Sequence, residues 1–142
     1  MNLPDEIRTI DDFQEVTTTV NKSSFIAQVY PLISETLFKE HLSKAKKKYY
    51  DASHHCYAYK LVNGNLRYSD AGEPNGSAGI RILNAIDHFK LVNQLVIVSR
   101  FFGGVKLGIG PLGKAYYEST LQALSESKIV TKRLFQKVEI LS

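Results

Sequence analysis

Residues Leu95-Val96-Ile97-Val98 form a continuous apolar run between Gln94 and Ser99, and no other segment restricts the fold as much. The run is short and mostly β-branched, which selects a strand over a helix. A strand with apolar side chains on both sides offers no face to water, so it must be covered on both faces.

The other elements are read around this strand. Glu15 to Asn21 is β-branched through Val16, Thr17, Thr18, Thr19 and Val20. Lys22-Ser23-Ser24 reads as a turn, and Phe25 to Tyr30 as a second strand ended by Pro31. Ser34 is placed to cap a helix whose buried face is Leu37, His41, Leu42, Ala45 and Tyr49. Lys39, Lys44, Lys46, Lys47 and Lys48 fall on its exposed side and C-terminal end, where they complement the helix dipole. From His54 to Val62 the chain alternates, with His55, Tyr57, Tyr59 and Leu61 on one face and His54, Cys56 and Ala58 on the other. Asn63-Gly64 marks a hairpin into a strand over Asn65 to Ser69. Helices are expected over 77–89, burying Ile80, Leu83, Ala85, Ile86 and Phe89, and over 112–127. Ile129 to Leu141 reads as strand and residues 1–14 as a lead-in with one short helical turn. The fold class is α+β.

A chain of 142 residues fits one domain. At this size about two-thirds of the unfolded surface is buried on folding, so neither disulfide nor metal is required. Cys56 is the only cysteine, which excludes an internal disulfide and suits a reducing compartment. No basic patch followed by an apolar run opens the chain, and no stretch approaches the roughly 18 apolar residues of a membrane span. A cytoplasmic protein without a membrane partner is expected. The net charge of +4 permits contact with a polyanion without demanding it.

Two Gly-rich segments, 69–81 and 100–114, concentrate the candidate chemistry. In the second, a buried strand runs into Arg100-Phe101-Phe102-Gly103-Gly104-Val105-Lys106-Leu107-Gly108-Ile109-Gly110-Pro111 and then a helix. Free N–H groups at a helix start carry partial positive charge, and glycine lets a ligand approach the backbone. Arg100, Gly103, Gly104, Lys106, Gly108, Gly110 and Lys114 are therefore the candidate anion or nucleic-acid contacts. The segment lacks the Gly-Lys-Ser/Thr of a phosphate-binding loop and the spacing of a dinucleotide fingerprint. Its glycines also suit a tight strand-to-helix crossover with no ligand.

In the first segment, Asp70 and Glu73 either act as a carboxylate pair for acid–base work or brace a turn, and Ser77 or Asn75 is placed to cap the following helix. His54 is placed to bond one of those carboxylates or a ligand. His54-His55-Cys56 lacks the further ligands a zinc site needs, and Cys56 reads as core beside Ala58. No cofactor is expected. Tyr57, Tyr59, Tyr68, Phe101 and Phe102 either stack bases or pack between elements.

Three blocks, Asp51 to Tyr59, Ser69 to Leu83 and Val96 to Gly110, together with Lys22-Ser23-Ser24-Phe25-Ile26-Ala27, resemble the N-terminal domain of the IMPACT/YigZ family in their order and spacing. The resemblance implies a mixed β-sheet with helices on one face, similar to the second-domain fold of a small-subunit ribosomal protein. It also implies a tie to regulation of translation, with RNA, the ribosome or translation factors as partners. An enzyme acting on a phosphorylated small molecule and a protein–protein adaptor in a stress or translation pathway are the alternatives. Relatives of this kind usually continue into a further domain, so 129–142 is either a terminal strand or a remnant at that boundary. Ala71 stands where the family usually has a second aspartate and Pro111 where it usually has a glycine.

Overall fold

The computed structural model describes residues 3–134 of the chain. In chain order the elements are β1 (Glu6–Ile10), β2 (Gln14–Val20), β3 (Ser23–Pro31), α1 (Thr36–Lys48), β4 (His54–Lys60), β5 (Leu66–Ser69), α2 (Gly79–His88), β6 (Gln94–Phe101), α3 (Ile109–Ser125) and β7 (Ile129–Arg133). Five strands form one sheet in the order β2-β3-β6-β4-β5, and β1 pairs with β7 in a separate two-stranded sheet.

The apolar run identified in the sequence lies in β6, the middle strand, and Leu95, Val96, Ile97 and Val98 are all fully buried. Alternation along the strand sends them to two different cores. Val96 and Val98 pack with Phe25, Ala27, Cys56 and Ala58 against Ile82 and Ile86 of α2 and Tyr116 and Leu124 of α3. Leu95 and Ile97 pack with Tyr57 and Tyr59 against Phe38 and Ala45 of α1.

The α+β class stands, and two details of the expected architecture are corrected. The sheet is not mixed, because β6 lies between β3 and β4 and pairs antiparallel with both, as do β2 with β3 and β5 with β4. The helices are not on one face, because α1 covers the side opposite α2 and α3. A central strand apolar on both sides leaves no other arrangement.

Three local expectations also change. Residues 6–10 of the supposed lead-in are a strand, held by pairing with β7 and by burial of Ile7 and Ile10. On α1 the anchor is Phe38, whose ring packs at a tilt against both Tyr57 and Tyr59, while Leu37 is exposed. The β2–β3 turn is made by Asn21 and Lys22, both at positive φ, so Ser23 already belongs to β3 and is fully buried. The strand expected over Phe135 to Leu141 lies outside the described residues.

Candidate functional site

The first Gly-rich segment places a carboxylate of its own at its helix entry. Asp70, just past β5, accepts hydrogen bonds from Gly76 N at 2.9 Å, Ala78 N at 3.1 Å and Gly79 N at 2.9 Å. Gly79 N is the first donor of α2, and Gly76 N and Ala78 N lead into it, so the carboxylate sits at the helix start. The cap is thus Asp70 rather than Ser77 or Asn75, and Ser77 Oγ instead donates to Pro74 O. A side chain at Gly79 would stand 2.7 Å from Ser69 N, so the glycine is needed for contact between α2 and β5.

Beneath the loop lies a buried charged cluster centred on Glu73. Arg100 Nε donates to Glu73 Oε2 at 2.6 Å and Nη2 to Oε1 at 2.9 Å, a two-pronged pair with both side chains nearly sealed from water. Tyr116 Oη also donates to Glu73 Oε2. His54 Nε2 lies 3.3 Å from Glu73 Oε1, while its Nδ1 lies 2.8 Å from Ala71 O. The hydrogen bonds to Glu73 raise the Arg100 pKa above its ordinary value. Burial is the main cause that raises Tyr116, and burial pushes the Cys56 thiol up to about 12. Cys56 Sγ lies 3.1 Å from Asp70 O and 3.4 Å from Tyr116 Oη, inside the core as its neighbour Ala58 suggests.

The expected phosphate contact at Arg100 is therefore corrected, since its guanidinium is buried and neutralised by Glu73. Parity along β6 carries the reason. Val96, Val98 and Arg100 share the face covered by α2 and α3, and His54 pairs directly across from Arg100 on β4. Asp70 and Glu73 likewise form no free pair for acid–base work, because one carboxylate caps α2 and the other holds Arg100, Tyr116 and His54.

The second segment leaves its helix entry open. Among the described residues, the amides of Gly104, Val105, Lys106, Leu107, Gly108, Ile109 and Gly110 have no internal acceptor, and all these residues but half-buried Leu107 are exposed. The first amide committed at the start of α3 is Leu112 N, which donates to Gly108 O at 2.9 Å. The glycines divide by role. Gly103 is structural: its amide donates to Ser23 Oγ, and an added Cβ would collide with Lys22 O. Gly104 and Gly108 adopt φ 87° and 84°, which other residues take only under strain. Gly110 faces open space.

Between the two segments lies a cleft of about 300 Å³ lined by Glu73, Pro74, Arg100, Phe102, Lys106, Leu107, Gly108, Ile109 and Leu112. Its floor is the Glu73–Arg100 pair, and its walls are largely apolar. Phe102 and Ile109 are 49% and 62% exposed, and the Phe102 ring lies 5.7 Å from Arg100 Cζ. Lys106 lines the cleft and has no ion-pair partner among the described residues. Lys114 lies outside the lining and pairs with Glu118 at 3.9 Å. Of the candidate aromatics, Tyr57 and Tyr59 are core, while Tyr68 and Phe102 are exposed. Sequence reasoning missed Ser23, whose Oγ accepts from Gly103 N and Arg100 Nη1 and so ties the β2–β3 turn to the end of β6, and it did not single out Tyr116 as a partner of Glu73. Among the described residues, no three His, Cys, Asp or Glu side chains converge to hold a metal, and no helix is long and apolar enough to cross a membrane.

An α+β domain whose central strand ends in a buried arginine, clamped by a loop glutamate beside an open Gly-rich helix entry, is the class that fold and site define. Residues 21–124 match the family model described as the Impact N-terminal domain, and the chain belongs to that family. It is 32% identical over 130 residues to IMPACT family member YvyE of Bacillus subtilis, covering 90% of this chain and 60% of that protein. It is 32% identical over 115 residues to IMPACT family member YigZ of Escherichia coli, covering 78% of this chain and 56% of that one. A crystal structure described as that of a hypothetical protein superposes with a TM-score of 0.87 at 28% identity, covering 92% of this chain and 66% of that one. The chain thus spans little more than half the length of these curated relatives.

Proposed function

We propose that this domain is a non-catalytic binding module that takes single-stranded RNA, free or ribosome-associated, at the cleft of the 100–114 segment. The role in translation is the one the family resemblance implies. The observation that carries the reading is the run of amides from Gly104 to Gly110, in a mostly exposed segment, that have no internal acceptor among the described residues, beside Lys106, which has no ion-pair partner among them, and the half-exposed ring of Phe102. A phosphate oxygen suits the amides and Lys106, and a base suits the ring. Arg100 holds the end of β6 and carries Phe102 on its guanidinium, so its part is to position the site. A catalytic reading draws less support, because the carboxylates of Asp70 and Glu73 are already engaged by the protein's own donors.

The test is fluorescence anisotropy of a short labelled RNA across a salt series. Lys106→Ala is expected to weaken binding and to lower the slope of log affinity against log salt by about 0.7, the value of one single-strand phosphate contact. Phe102→Ala is expected to cost about 1–3 kcal/mol, the range for one stacked base. Unchanged affinity in both variants removes the cleft as an RNA site. A nucleoside monophosphate that raises the melting temperature while RNA fails to bind favours the small-molecule alternative.

A further inference from the structure

The positive charge of the chain is not concentrated at the cleft. On the opposite side of His54 lies a second cavity, of about 480 Å³, whose lining includes Lys46, Arg67, His54, His55, Ser53 and Ser69 and no carboxylate. It adjoins a third, of about 440 Å³, lined by Lys39, Leu42, Ser43, Lys46, Lys47 and Tyr50. The two share Leu42 and Lys46, so together they form one basic groove over α1, β4 and the edge strand β5. Among the described residues, Lys39, Lys46, Lys47 and Arg67 form no ion pair, whereas Lys44 and Lys48 on the same helix pair with Glu40 and Glu15. Arg67 is held by its rings, with Cζ 5.3 Å from the Phe38 centroid and 6.0 Å from that of Tyr57, which leaves its N–H donors uncommitted. Glu35, the carboxylate whose field reaches Arg67, is itself bonded by Tyr59 and Asn65. His55 lies below its ordinary pKa mainly through burial, with the charges of Lys46 and His54 adding to the effect, as a locally positive field requires.

The groove also reaches the cleft. Ser53 and His54 line the groove and touch the cleft wall, since Phe102 N donates to Ser53 Oγ at 3.3 Å and His54 Nε2 lies 3.3 Å from Glu73 Oε1. Exposed rings stand at both ends, Tyr50 at 81% and Phe102 at 49%. A row of cations with an open ring at each end suits a chain that carries both phosphates and flat bases. An acidic peptide or a lipid headgroup makes no comparable use of the rings.

We propose that the face of α1, β4 and β5 is a second nucleic-acid surface, a track on which single-stranded RNA lies against Lys39, Lys46, Lys47 and Arg67 before entering the cleft. The path into the cleft rests on the function proposed above; the track itself does not. The experiment compares Lys46→Glu, Arg67→Gln and Lys44→Glu by anisotropy with labelled oligouridylate, each variant first matched to the parent in its thermal melt. Lys44→Glu makes the same charge change on the same helix outside the groove. Lys46→Glu is expected to weaken binding about tenfold, several times more than Lys44→Glu, and to lower the salt slope by at least about 0.7. Arg67→Gln is expected to lower the slope by a similar amount, since it removes one contact. Equal losses for Lys46→Glu and Lys44→Glu overturn the proposal, because net charge alone then explains them. Loss with Lys106→Ala and Phe102→Ala but not with Lys46→Glu or Arg67→Gln also overturns it and leaves the cleft standing. The reverse pattern upholds the track and removes the cleft.

Discussion

The Glu73–Arg100 pair offers the sharpest test of how the site is built. Both side chains are almost fully enclosed, at 2% and 9% exposure, and each satisfies the other through two short hydrogen bonds. Glu73→Gln removes the negative charge and leaves a guanidinium in the core without its counter-ion. Breaking one side of a buried pair costs about 3–5 kcal/mol. At about 2.1 cal/mol/K per residue, unfolding entropy for a chain of this length is about 0.3 kcal/mol/K, so the melting temperature should fall by about 10–17 °C. Arg100→Met strands the carboxylate instead, with Tyr116 as its remaining hydrogen-bond donor and His54 nearby. It should cost a similar amount. In the double variant no uncompensated charge is left in the pair, so its loss should stay near that of one single variant. Urea unfolding of all four proteins completes the cycle, and a coupling of at least about 2 kcal/mol is expected. Additivity within about 0.5 kcal/mol would instead mean that the two side chains act as independent sites and do not hold each other in the core.

Other outcomes follow from neighbouring residues. Gly103→Ala should destabilise the fold by about 1–3 kcal/mol through overpacking against Lys22 O, whereas Gly110→Ala, facing open space in the first turn of α3, should stabilise it by up to about 1 kcal/mol; thermal melts separate the two. Cys56, with its pKa raised to about 12, should resist iodoacetamide at pH 8 in the folded protein and react on unfolding, and rapid native labelling would contradict its burial. His41 and His55 are both lowered from 6.5, mainly by burial. Folding therefore disfavours their protonation, and the stability they contribute above pH 6.5 should be lost as pH falls through their folded values. Glu15 and Glu35 are lowered from 4.5. Hydrogen bonds from Tyr59 and Asn65 act on Glu35; for Glu15, burial is the largest single effect and acts upward, but bonds from Tyr49, Gln28 and Lys48 outweigh it. A second loss of stability is thus expected below pH 4.5, and denaturation at fixed urea across pH 3–8 reads both steps.

Much of this organisation was legible in the residues. The apolar run in β6 announced a strand covered on both faces, and the structure covers it with α1 on one side and α2 and α3 on the other. The family resemblance suggested one face, and the sequence pattern was the better guide. Parity along the same strand also pointed Arg100 inward with Val96 and Val98, yet a charged residue at a strand end beside glycines reads as a ligand contact when parity is not followed to the end. The rest needed three dimensions. Nothing in the sequence joins Glu73 to Tyr116, 43 positions away, or Ser23 to Gly103, 80 positions away. Residues 6–10 carried too few apolar side chains to announce a strand before their partner at 129–133 was known.

The two Gly-rich segments look alike as text and differ in what they leave available, and a single carboxylate accounts for the difference. Both bring a strand into a helix through glycines at positive φ, at Gly72 and Gly76 in one and Gly104 and Gly108 in the other. Each helix start exposes donors that favour negative charge. In the first segment Asp70 supplies that charge from within the chain and turns inward over three amides. In the second, no Asp or Glu occurs between Arg100 and Glu118, and the one carboxylate that reaches the cleft, Glu73, is already held by Arg100. Gly110→Asp would give the second entry an acid of its own and leave Lys106 in place. If the open amides are what hold the ligand, such a variant should keep its fold and lose its affinity for anions. If affinity survives, the amides are bystanders and the basic groove alone must account for binding.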